Sequence, residues 1–165
     1  MSEKINWVAR AEELKKRYPA HFLEGLREHH ASLAELHDAA LQKNQDAGQT
    51  LYAAHRALDK YPQHAPKIFK LAHAALQRNQ DAWLTLGAAT GVLADNPEHA
   101  KQFFELAHAA LQKNQNVGKT LGAASGALAE HAPEKIFQVA HAALASNLNA
   151  AQAIRNYVKM MKGRK

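Results

Sequence analysis

The sequence predicts an all-α fold, an α-solenoid of stacked antiparallel helix pairs with a period of about 35 residues. Three observations predict it. First, Asp46–Gln80 and Asp81–Gln115 match at 20 of 35 aligned positions, and 116–148 repeats the same text two residues shorter. Self-similarity at such a period marks a stacked supersecondary unit. Second, the apolar residues recur at three- and four-residue spacing, as in Trp83, Leu86, Ala89 and Leu93, then Phe103, Leu106, Ala107, Ala110 and Leu111. That spacing draws a stripe along a helix, and the Ala and Leu that dominate it are the strongest helix formers. Third, the hinge between units repeats as Asn44–Gln45–Asp46, Asn79–Gln80–Asp81, Asn114–Gln115–Asn116 and Asn147–Leu148–Asn149. Asn adopts the left-handed conformation that ends one helix, and Asp or Asn two residues on caps the next.

Taken in order, residues 1–45 form a degenerate leading repeat or cap. Within it, residues 3–18 read as an amphipathic helix with Ile5, Val8, Ala11 and Leu14 facing inward. Tyr18–Pro19 echoes Tyr61–Pro62 as a turn. The segment from Phe22 to Lys43 is longer than its later counterparts, and reads either as one long helix or as two short ones broken near Gly25 or His29–His30. The regular repeats follow at 46–80, 81–115 and 116–148. Tyr61–Pro62 and Asn96–Pro97 divide the first two, because the residue before proline is pushed out of helical geometry. Residues 149–165 form a closing helix and basic tail, with Ile154, Tyr157, Val158 and Met161 on one face and cations on an adjoining one. The single domain of 165 residues is long enough to bury a core.

Composition narrows the class. With no cysteine, disulfide and thiol chemistry are excluded. No apolar run reaches spanning length and the N-terminus has no signal-peptide core, so a cytoplasmic location without membrane contact is expected. Net charge is +6, yet the body is nearly neutral, because five of the 21 cations lie in the last eleven residues: Arg155, Lys159, Lys162, Arg164 and Lys165.

The units resemble the tetratricopeptide repeat. Trp83-x2-Leu86–Gly87 fits its opening, and Ala100-x3-Phe104 with Ala107 fits its second helix. The unit before has Leu51, Ala65-x3-Phe69 and Ala72, and the unit after has Leu121–Gly122, Phe137 and Ala140. The resemblance covers residues 46–148. His55, Thr90 and Ser125 stand where the pattern has Tyr, and its closing Pro is missing. It implies a right-handed superhelix whose first helices line a concave groove for a peptide or another protein. The groove positions it assigns are Asp46, Gln49, Thr50, Ala53 and Arg56, then Asp81, Leu84, Thr85, Ala88 and Gly91, then Asn116, Lys119, Thr120, Ala123 and Gly126. This wall is mostly small, which suits an apolar or helical surface better than the carboxylate clamp of that family.

Gly87, Gly91, Gly122 and Gly126 sit inside helices, each at a cost of about 1 kcal/mol against Ala. Close crossing of helices is one account of them, and close approach of a ligand is the other. His37, His73, His108 and His141 recur at one position of successive second helices, a ladder suited to packing and, since imidazole titrates near neutrality, to pH sensing. It has no accompanying ligand set for zinc, so no metal is expected. His64, His99 and His131, near the inter-helix turns, are expected to face solvent or cap helices. Gly118–Lys119–Thr120 ends like a phosphate-binding loop, but Lys113 stands where that loop needs its first glycine. Ser125, in AASGA, is not in a nucleophile elbow. No catalytic residue and no cofactor are expected. The reading is a non-enzymatic scaffold binding a protein or peptide. The alternatives are a nucleic-acid binder using Arg155, Lys159, Lys162, Arg164 and Lys165, or an engineered or recently duplicated array with no evolved ligand.

Overall fold

The structure, a computed structural model, describes residues 4–164. Among them are nine α-helices and no strand: α1 (Trp7–Arg17), α2 (His30–Gln42), α3 (Ala47–Lys60), α4 (Ala65–Gln77), α5 (Ala82–Asp95), α6 (Ala100–Gln112), α7 (Val117–Leu128), α8 (Pro133–Ala145) and α9 (Ala150–Lys162). Short 3-10 turns occupy Pro19–His21, Glu24–His29, Pro62–His64 and Pro97–His99. The long leading segment is thus not one helix: a 3-10 stretch over Glu24–His29, kinked at the non-helical Leu26 beside Gly25, passes into α2 at His30.

The turns follow from local chemistry. Asn44, Asn79, Asn114 and Asn147 hold φ of 53°, 54°, 53° and 55°, the left-handed conformation that closes a helix. At each, two backbone bonds recover orphan carbonyls: Gln115 N–H donates to Ala110 O at 2.9 Å and Asn114 N–H to Leu111 O at 3.0 Å, and the other three hinges repeat the pair. Asp46, Asn116 and Asn149 then accept from the backbone N–H of Gln49, Lys119 and Gln152, each at 2.8 Å, as N-caps of α3, α7 and α9. Tyr18, Tyr61 and Asn96, each before proline, take a non-helical ψ near 60° (59°, 57° and 61°), which is what separates the paired helices. The third repeat does without a 3-10 turn, and Pro133 starts α8 directly at the N-terminal position where its missing N–H costs nothing.

The helices pack with neighbours in sequence, forming two compact units, Met1–Leu86 and Gly87–Lys165. In the first, α2 packs on α1, α3 and α4, and α3 on α4. Its core is Leu33 and Leu36 of α2, Leu51 and Leu58 of α3, and Ile68 and Leu71 of α4. In the second, α7 packs on α6, α8 and α9, and α8 on α6 and α9. Phe103, Leu106 and Leu111, with Leu121, Ile136, Leu144 and Ile154, fill its core, and Phe103 meets Phe137 edge to face at 5.3 Å. Alanine between these large residues keeps side-chain volume low where helices meet: Ala40, Ala54, Ala72, Ala107, Ala124 and Ala140 are fully buried.

The first helix departs from expectation. Ala11 and Leu14 are buried, but Ile5 and Val8 are 53% and 67% exposed. The helix expected over 3–18 begins only at Trp7, with Asn6 as its cap, so Ile5 lies before it, and the anchor of α1 to α2 is polar: Arg10 donates to both Asp38 oxygens, at 2.8 and 3.0 Å. Burial pushes the Asp38 carboxyl up, but the Arg10 and His37 hydrogen bonds outweigh it and hold the group below its ordinary value. The closing helix follows its expected face, with Ile154 buried and Tyr157, Val158 and Met161 half-buried.

Candidate binding cleft

The groove positions divide by exposure. Asp46, Gln49 and Arg56 on or before α3, Asp81, Leu84 and Gly91 on or before α5, and Asn116, Lys119 and Gly126 on or before α7 are exposed, with Ala53, Ala88 and Ala123 half-buried. Thr50, Thr85 and Thr120 are buried and do not line a surface. The reason is local. Each threonine follows the helix cap by four residues, and the hydroxyls of Thr50 and Thr120 donate back to the carbonyls of Asp46 (2.8 Å) and Asn116 (2.9 Å). That bond satisfies the hydroxyl inside the helix, so Thr can be buried there.

The second unit gathers several of these residues into one cleft. A cavity of about 410 Å³ opens between α7 and α9. Its apolar lining is Ala123, Gly126 and Ala127 of α7 with Ile154 and Val158 of α9. Arg155, Lys159 and Lys162 line its α9 side, and Glu130 and His131 its far end. Lys162 Nζ lies 3.4 Å from Glu130, so the one acidic residue of the lining is paired. His131 presents its edge to Tyr157 at 5.7 Å, and its Nε2 is buried with no hydrogen-bond partner. Arg164 is exposed beyond the helix. Lys165 lies outside the described residues.

Sequence reasoning placed Ala123 and Gly126 in a groove and Arg155, Lys159 and Lys162 on a separate basic face; the fold brings them together. The signal was present in the hinge spacing. Asn149 caps α9 as Asn116 caps α7, so α9 is a fourth first helix, and Lys159 takes the place that Gly126, Gly91 and Arg56 hold in earlier ones. Glu130, His131, Ile154 and Val158 were not recognised as lining residues, because the chain turn that carries the first two has no counterpart spacing.

The structure removes one of the two accounts of the helix-interior glycines. A Cβ built on Gly87, Gly91, Gly122 or Gly126 would meet nothing within 4 Å. Close helix crossing therefore does not explain them, since no neighbour approaches the missing side chain. Ser125, between two of them, accepts a hydrogen bond from Asn96 Nδ2 at 2.9 Å, a structural tie from the end of α5 to α7.

The hinge glutamines have a role that spacing alone did not reveal. Gln45 Nε2 donates to Gln80 O at 2.8 Å, and Gln45 Oε1 accepts from Ala82 N–H at 3.0 Å. Gln115 does the same to Leu148 O (2.6 Å) and Ala150 N–H (2.9 Å). One amide side chain thus satisfies an acceptor and a donor of the next hinge, about 35 residues on. Within each unit, two successive hinges are thereby tied to one another.

Histidine placement is uneven. His37 is 1% exposed with Nδ1 2.8 Å from Asp38, whereas His73, His108 and His141 are half-buried. His64 and His99 occupy the N-cap positions of α4 and α6, but neither side chain makes a capping hydrogen bond, and His99 instead lies against the Phe137 ring at 6.2 Å. Among the described residues no group of three His, Asp or Glu is placed to hold a metal ion. Among the described residues no helix is long and apolar enough to cross a membrane. No family model, no curated protein and no solved structure matches this chain.

Proposed function

We propose that this protein is a non-enzymatic, tetratricopeptide-like helical repeat that binds a segment of another protein against its first helices, with the α7–α9 cleft as the principal seat. The observation that carries this reading is the cleft itself: an α7 wall left open by the small Ala123, Gly126 and Ala127, facing Ile154 and Val158 of α9, beside a rim of Arg155, Lys159 and Lys162. An α7 wall without large side chains admits a helix or an extended strand of a partner at close range, and the rim favours acidic groups flanking its apolar residues. Four helix-interior glycines that nothing inside the fold requires support it, because each forgoes about 1 kcal/mol that Ala would supply.

A second reading, nucleic-acid binding, is favoured by the exposure of Arg155, Lys159, Lys162 and Arg164 on one helix and its end. It predicts steep salt dependence through phosphate contacts. The lining of the cleft weighs against it, since its apolar residues are aliphatic and offer no stacking platform for bases.

The test is capture from cell lysate with the full chain and its Gly126→Leu variant, each split into nuclease-treated and untreated halves. A protein retained by the parent chain after nuclease, and lost by Gly126→Leu at unchanged helicity, is the expected outcome. The same protein retained by both chains would remove the cleft from the reading. Recovery that vanishes with nuclease would replace it with the nucleic-acid reading.

A further inference from the structure

We propose that the stacked His21–His55 pair is a proton-operated latch holding the Tyr18–His21 turn against α3, closed while both rings are neutral and opened when they take up protons. The two rings lie 4.6 Å apart and 24° from parallel, although their residues belong to different elements 34 positions apart. Tyr52 of α3 closes the cluster, edge-on to His21 at 5.7 Å and to His55 at 5.3 Å. Tyr18 stacks on the outer side of His21 at 5.9 Å. His55 is 6% exposed, and the Nδ1 atoms of both histidines are buried without a hydrogen-bond partner.

That arrangement suits neutral imidazole and penalises imidazolium. The neutral ring has one N–H, so one nitrogen can remain a bare acceptor, whereas the cation has two N–H groups to satisfy. A buried cation with an unmet donor is costly, and a second cation stacked on it adds repulsion.

The surroundings give partial relief: the backbone of Ala20 at His21 and of Leu51 at His55 favours the charged form, and burial outweighs both. On α3, Arg56 lies over the Tyr52 ring at 5.9 Å and acts against protonation of His55, while Asp59 acts for it. At the end of α1, Arg17 lies over the Tyr18 ring at 5.1 Å. From α2, His37 packs on Tyr18 at 5.4 Å, and the Asp38 carboxylate beside it is already engaged by Arg10. Among the described residues, no charged group of α4 or of residues 24–29 acts on either ring.

Burial holds both imidazoles below their ordinary value of 6.5, and the neighbouring His21 lowers His55 further. For a base depressed on folding, the closed form keeps its full stability above the unfolded value and loses it as pH falls through and below that value. The latch is therefore shut near neutrality and weakens in the mildly acidic range. Its travel is short. Phe22, the next residue, is buried against the His30 ring at 5.3 Å, and His30 Nε2 bonds Leu23 O at 2.8 Å, so the chain beyond the turn stays anchored. Opening frees the Tyr18–His21 turn and uncovers the Tyr52 and His55 side of α3, next to the exposed Gln49 and Arg56. Acid would thus change the surface that α3 presents, whatever occupies the cleft in the second unit.

Amide hydrogen exchange on the full chain tests this, because Tyr18 N–H bonds Leu14 O at 2.7 Å and His21 N–H bonds Tyr18 O at 3.0 Å. Corrected for the intrinsic pH dependence of exchange, protection of these two amides should fall severalfold between about pH 7.5 and about pH 5, because the open turn takes up protons that the closed one excludes. The His21→Phe/His55→Phe double variant keeps stacked rings that cannot charge, and its protection should not change with pH. Unchanged protection in the parent chain, or the same loss in the double variant, would overturn the latch. Should the double variant fail to fold, titration of the parent histidine and tyrosine ring resonances decides: His21 and His55 titrating below the ordinary value while the Tyr18 and Tyr52 rings shift supports the latch, and titration at the ordinary value with static tyrosine rings removes it.

Discussion

Asn44, Asn79, Asn114 and Asn147 place one residue type in one strained conformation four times. Asn tolerates positive φ better than any residue with a larger or branched side chain, and only glycine does so at no cost. Asn114→Ala should therefore lower stability by about 1 kcal/mol while Asn114→Gly leaves it unchanged or slightly raised, as read from urea unfolding midpoints. Equal loss in both would mean that the Asn114 side chain, and not its backbone, holds the turn. The adjacent glutamines show the limit of reading single residues. Gln45 and Gln115 look like ordinary polar hinge residues until the next hinge is placed beside them and each is seen to bridge it with donor and acceptor.

Helices α5 and α7 carry paired glycines four residues apart, and in both the missing side chains would point into open space. Gly122→Ala should accordingly stabilise the protein by about 1 kcal/mol, raising Tm by about 2–4 °C for a chain of this size. An unchanged or lowered Tm would show that the α7 glycines serve the folded chain itself. The element scale is also where the helices were legible. Their apolar spacing, caps and breaks act within four residues of chain, so nearly every boundary from Asp46 onward falls where the repeated text puts it. Before Asp46 the text is not repeated, and for that reason the segment from Phe22 to Lys43 reads equally as one long helix or as two short ones broken near Gly25 or His29–His30. The inward orientation expected of Ile5 and Val8 failed because Ile5 precedes the start of α1 at Trp7, and because a stripe shows which residues share a face but not how far along the helix a neighbour covers it.

Eleven histidines on a chain of net charge +6 make the whole molecule acid-sensitive. His21, His55 and His64 all sit below the ordinary imidazole value through burial, with Lys67 adding to the effect at His64. Each such group binds protons more readily when unfolded, so stability falls as pH drops through about 6.5. Full protonation would also add up to eleven charges to a chain that is already positive. The urea midpoint should be lower near pH 5 than near pH 7.5, with an unchanged slope, and the double variant described above should recover part of the difference. A midpoint that is flat across this range would show that the histidine environments are alike in the folded and unfolded chains.

What the sequence determined by itself is the all-helical class, the order of helices, the hinges and the kind of turn at each, together with the inward face of the last helix. These are local properties, set by left-handed Asn, capping side chains, proline and periodicity within a turn or two of chain. The tertiary structure alone decided which side chains meet. It put the three core-facing threonines inside, opened the space over four glycines, set the α9 cations beside Ala123 and Gly126, and stacked His21 on His55. Each of these depends on segments remote in sequence arriving at one place, and no local pattern records which neighbour a helix face will have.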